Sequence, residues 1–133
     1  MRWWRRRLVG VMACALPAGA TTPGIDPDRC AELIERLRCE APLLIRFSLH
    51  ASVAVFLLSP LVTVGRPCPA SWLSAENLDR HTARMARHPS YLLRQAMLMI
   101  KTVAGLCWGA DPAVRRALGM EPYPAETGEW RRM

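Results

Sequence analysis

Apolar and polar positions along this chain recur with a helical period almost from the start. After a basic head, Leu8, Val11, Met12 and Leu16 fall on one helical face, and Pro17 and Gly19 stop the run. Ile25-Asp26-Pro27 opens a second helix: Asp26 can cap it, Pro27 suits its first position, and Asp28 complements the positive helix end. Cys30, Leu33, Ile34 and Leu37 line one face of that helix, opposite Glu32, Glu35, Arg36 and Arg38.

From Pro42 to Val64 the chain is almost continuously apolar, interrupted by Arg46, Ser48, His50, Ser52 and Ser59, with Pro60 near its far end. A membrane span needs about twenty apolar residues, and 47–64 comes close to that length. Arg46 and His50 lie one turn apart and form a polar edge, which suits a central helix of a bundle with one wet side. A transmembrane helix is the alternative reading. His50 itself reads as a satisfied, half-buried side chain.

Two prolines within Gly65-Arg66-Pro67-Cys68-Pro69 make a loop. Ser74 then caps a polar helix over 75–87, with Leu73 and Leu78 placed as a hydrophobic staple. Its apolar edge of Leu78, Thr82 and Met85 is thin, and its broad charged face carries Arg80, Arg84 and Arg87. A second strongly apolar helix follows over 91–108, with Leu92, Ala96, Met99, Ile100, Val103 and Cys107 at core spacing. Asp111, Pro112 and Gly119 delimit a last short helix, and 123–133 reads as a flexible tail. The pattern therefore predicts an all-α protein, a single compact bundle of about five or six helices over 1–122 built around 42–62 and 90–108.

The 133 residues fit one domain, since domains cluster near 100 to 150 residues. Charge adds little to a nucleic-acid reading. The chain has seventeen arginines, one lysine (Lys101) and eleven acids, a net charge of +7, but Arg2, Arg5, Arg6 and Arg7 account for four of those positive charges. The remaining arginines are dispersed among acids rather than gathered in a stripe with stacking aromatics, so no nucleic-acid partner is expected. That same basic head, with a nine-residue apolar run and Ala18-Gly19-Ala20, has the grammar of a secretory signal, so 1–20 reads either as a cleaved leader or as the first helix. Five cysteines with no C-x-x-C pair read as small buried hydrophobes in a reducing compartment. A cytoplasmic location is the expectation, with membrane association through 42–64 left open and export as the alternative.

The sequence holds no glycine-rich phosphate loop, H-E-x-x-H, nucleophile elbow or dinucleotide fingerprint. His81 and His88, two turns apart with Asp79 nearby, lack both i, i+4 spacing and a third strong ligand, and read as solvent-exposed side chains. No catalytic, cofactor-binding or metal residues are expected.

Tyr91-Leu92-Leu93-Arg94-Gln95-Ala96, then Lys101, Trp108-Gly109-Ala110-Asp111-Pro112-Ala113-Val114 and Ala117-Leu118-Gly119 together form a pattern. It resembles the small helical domain or subunit that accompanies glucose-methanol-choline flavoprotein oxidoreductases, related to the gluconate dehydrogenase small subunit. The upstream Ser59-Pro60 stop, the arginine- and proline-containing loop and the Leu73-Ser74 helix start fit the same pattern, which covers about 8–122. Trp108-Gly109 departs from it, standing where the family tends to carry two tyrosines. The resemblance implies that 1–20 is retained as a first helix. It also implies that the chain is a non-catalytic accessory subunit stabilising a larger FAD-dependent dehydrogenase or oxidase of alcohols or sterol-like substrates. The flavin would belong to the partner. Arg80, Arg84 and Arg87, with Trp108, Asp111 and Pro112, are then the candidate contact residues.

Overall fold

The computed structural model describes residues 2–122, with side chains from Arg6 onward; the predicted tail at 123–133 lies outside the described residues. Among the described residues seven α-helices follow one another: α1 Arg2–Ala15, α2 Pro27–Glu40, α3 Leu43–Leu58, α4 Pro60–Val64, α5 Ala75–Ala86, α6 Tyr91–Ala110 and α7 Pro112–Ala117. A single 3-10 turn, Ala70–Trp72, precedes α5. No strand occurs among the described residues, so the protein is an all-α bundle. Two of its helices, α4 with five residues and α7 with six, are little more than one turn.

The predicted start and stop residues act as read. The Asp26 carboxylate accepts from Asp28 N–H at 2.9 Å, Ser74 Oγ accepts from Asn77 N–H at 3.4 Å, and Asp111 accepts from Ala113 N–H at 2.8 Å. Gly65 and Gly119 sit at φ 69°, the left-handed conformation that ends α4 and α7 and that a side chain disfavours.

α6 is the hub, packing against α1, α2, α3, α5 and α7. Its buried face is Leu93, Ala96, Met97, Ile100, Val103, Ala104 and Cys107. Ala96, Ile100, Val103 and Cys107 lie in the core as the pattern suggested and Met99 packs at its edge, whereas Leu92 points outward and Leu93 takes its place. Against this face α1 places Leu8, Val11 and Met12, α2 places Cys30 and Ile34, and α3 places Leu49, Val53 and Phe56. The helix α1 thus places Leu8, Val11 and Met12 in the core.

The expected helix over 42–62 is interrupted. Pro60 has no N–H to give to the Phe56 carbonyl four residues earlier, so the chain turns at Ser59 and restarts as α4. The sixteen residues of α3 span about 24 Å at 1.5 Å per residue, short of a ~30 Å hydrocarbon core. No helix among the described residues is long and apolar enough to cross a membrane.

Candidate partner-binding surface

α5 owes its placement to a strip of inner residues, and everything else on it faces outward. Arg80, Arg84 and Arg87 come together around an open cleft of about 350 Å³, completed by Val62 and Thr63 of α4 and by Ala83, His88 and Pro89. They are not three free charges. Arg80 is paired with Glu76 at 2.9 Å, one turn back on the same exposed face. Arg84 Nη1 donates to the Thr63 carbonyl at 2.7 Å, one of the last-turn carbonyls of α4 that no intrahelical N–H can reach. The cleft is therefore basic, with one of its arginines anchored to the fold.

Trp108, Asp111 and Pro112 occupy other ground. The Trp108 indole N–H donates to the Pro23 carbonyl at 2.9 Å and ties the end of α6 to the segment before α2. Asp111 is 7% exposed; it caps α7, where Pro112 takes the first position, and lies 3.9 Å from Arg29 Nε. Asp111 lines two clefts, neither of which shares a residue with the arginine cleft. The six candidate residues thus fall into two groups on different surfaces.

The histidines depart from expectation. His81 is fully buried rather than solvent-exposed: its Nε2–H donates to the Phe56 carbonyl at 3.0 Å, and its Nδ1 lies 2.5 Å from the Thr63 hydroxyl. Burial holds the His81 pKa below its ordinary value, against a smaller opposing pull from the Phe56 carbonyl, so the ring is neutral at pH 7. His50, expected half-buried, is exposed, with Nδ1 2.6 Å from the Arg46 carbonyl. His88 is half-buried and its Nδ1 accepts from Ser90 N–H at 3.1 Å. No three His, Cys, Asp or Glu residues among those described are grouped to hold a metal ion.

The thiols divide by surroundings. Burial, and then the Asp79 carboxylate, pushes Cys14 up and away from the reactive thiolate. Cys30 of α2 donates to the Met12 thioether at 3.4 Å. Interaction between the thiols of Cys30 and Cys107 of α6 lowers Cys30 and, together with burial, raises Cys107. The pair gives up its first proton more readily than its second.

The most distinctive surface lies on α3. Leu43, Phe47, His50, Ala54 and Leu58 share one exposed face of the helix, apolar but for His50: Leu43 is exposed by 75%, Phe47 by 72% and Leu58 by 76%. Leu44 beside them and Leu61 and Val62 of α4 are exposed as well. The opposite face of α3, Leu49, Ser52, Val53 and Phe56, is buried on the bundle. Compared with family models, curated proteins and solved structures, the chain matches none.

The stripe was within reach of the sequence. An apolar helix whose second face repeats Leu43, Phe47, Ala54 and Leu58 has more apolar surface than one neighbour can cover, and counting its two faces separately identifies the excess. The hydrogen-bonded role of His81 left no such mark, because it depends on where α5 crosses α4.

Proposed function

We propose that this chain is a non-catalytic accessory subunit that docks on a larger FAD-dependent oxidoreductase of the glucose-methanol-choline type and stabilises it. The observation that carries the reading is the exposed apolar stripe of α3. Monomeric proteins seldom leave contiguous apolar patches beyond a few hundred Å² uncovered, and larger ones mark interaction sites. The identity of the partner rests on the resemblance carried by 91–119 and by the Ser59-Pro60 and Leu73-Ser74 boundaries. The Arg80, Arg84 and Arg87 cleft borders Val62, at the end of the same apolar segment, and supplies a charged rim to an apolar contact.

Affinity purification of the tagged full-length chain from its native host tests the proposal. The expected result is a co-purifying FAD-containing protein whose melting temperature rises with added chain, as mass action requires of a ligand that binds only the folded partner; the gain is about 2.7 kcal/mol at a hundred times Kd. Flavin absorbance in this chain alone, or a deletion strain with unaltered flavoprotein activity, overturns it.

A further inference from the structure

A cleft of about 270 Å³ opens where α1, α3 and α5 meet the Ala70–Trp72 turn. Val11 of α1, Phe56 and Leu57 of α3, and Leu73 and Leu78 on either side of the start of α5 make its walls apolar. Among the described residues, the charged side chains lining it are Arg6, which is exposed, and Arg7, which is half-buried, both from α1. We propose that this cleft binds a small aliphatic monocarboxylate, with the carboxylate at the two arginines and the chain against the apolar walls.

Gly10 lines the same cleft, and its missing side chain keeps the space open. It sits inside α1 without a positive φ, and a Cβ there would meet no atom within 4 Å. Neither the backbone nor a close neighbour calls for glycine at this position, although glycine inside a helix is less stable than alanine. The fold thus leaves unfilled a space that a larger side chain could take, as a ligand site requires.

Volume and charge select the class of ligand. At about 30 Å³ for each water-sized atom, the cleft holds roughly nine non-hydrogen atoms, the size of a carboxylate of six to eight carbons. Small-molecule sites combine apolar walls with a few placed polar groups that fix orientation, and a guanidinium meets a carboxylate with two parallel N–H···O bonds. The charges around the cleft favour a monoanion. Burial, and then the Asp79 carboxylate, keeps the Cys14 thiol on its wall protonated, and Asp79, itself outside the lining, offsets only one of the two arginines. One positive charge remains, which matches a monocarboxylate rather than a phosphate dianion. The cleft shares no residue with the α3 stripe or the arginine cleft of α5, so the inference is independent of the proposed partner.

Calorimetric titration of the full-length chain with octanoate should show one site with a Kd on the order of 0.1 mM, within reach of a ligand of about ten non-hydrogen atoms. Octan-1-ol, of equal length and uncharged, should bind about 10-fold more weakly, and Arg6→Gln with Arg7→Gln should remove that preference. Gly10→Leu puts a side chain into the cleft; it should hold the melting temperature or raise it by about 2 to 4 °C while weakening octanoate by about 10-fold or more. Circular dichroism establishes that each variant is folded, and the comparison of octanoate with octan-1-ol on the parent chain decides the matter without any variant. No saturable octanoate binding up to about 5 mM, or equal affinity for octan-1-ol, overturns the proposal. So does unchanged affinity in a folded Gly10→Leu chain, which would put the ligand on another apolar surface.

Discussion

Pro60 leaves the Phe56 carbonyl without its helical donor, and the residue that answers this is His81, twenty-five positions along the chain. With Nε2–H committed to Phe56, Nδ1 accepts from the Thr63 hydroxyl, which also lies 3.1 Å from the Ser59 carbonyl and has one proton to give. Replacing His81 by Ala leaves the Phe56 carbonyl only the long 3.5 Å bond from the Ser59 hydroxyl and opens a cavity, so His81→Ala should lower the unfolding free energy by about 3 kcal/mol in urea titrations. Its pH dependence follows from the depressed folded-state pKa. The unfolded chain takes up a proton as pH falls through 6.5 while the native ring does not, so this contribution is intact above that pH and lost below it, down to the folded pKa. Between pH 7 and 5 the parent should lose more stability than His81→Gln; equal losses would remove His81 as the cause. The arginines show a related habit. Arg46 donates to the Arg38 carbonyl, Arg84 to Thr63 and Arg94 to His88 and Pro89, each serving a carbonyl at or just past a helix end. Their scatter among acids looked like a solvated surface in the sequence because each partner is backbone, which leaves no trace in residue type.

At the scale of the element, α1 separates two readings of one sequence pattern. Leu8, Val11 and Met12 give it a buried face against α6 and α2, so it carries part of the core. Leu8→Ala combined with Met12→Ala should cost on the order of 4 to 8 kcal/mol, comparable with a whole domain's stability. The chain beginning at Thr21 should lose its cooperative thermal transition by circular dichroism. A cooperative melt of that truncated chain would return α1 to the status of a leader. Helix limits were legible wherever local chemistry sets them: Asp26-Pro27, Ser74, Asp111-Pro112 and Gly119 each satisfy or end a helix with atoms a few residues away. The core face of α6 was legible at Ala96, Ile100, Val103 and Cys107 but not at its start, because Leu92 and Leu93 are equally apolar and only the packing of neighbouring helices decides which is covered. Of the candidate contact residues, the arginine trio was legible as a cluster from its i, i+4 and i+3 spacing. The engagement of Trp108 with Pro23, eighty-five residues away, was not.

For the whole molecule, the α3 stripe should be separable from stability. Phe47→Glu with Leu58→Glu changes exposed side chains only, so melting temperature should move little, by an equivalent of roughly 0.5 kcal/mol per site, while self-association in light scattering falls and flavoprotein co-purification is lost. A double variant that still captures the partner would move the contact to another surface. The α1 to α6 packing has a different consequence, one of timing. The partner face for Leu8 and Met12 ends near Cys107, so it does not exist until some ninety further residues have been made. At about 5 to 20 residues per second, the ribosome displays the basic, apolar N-terminal segment for roughly 5 to 20 s before its fold can claim it. During that interval the growing chain offers the same segment to the machinery that sorts nascent proteins, so its fate is a race between recognition and the completion of α6.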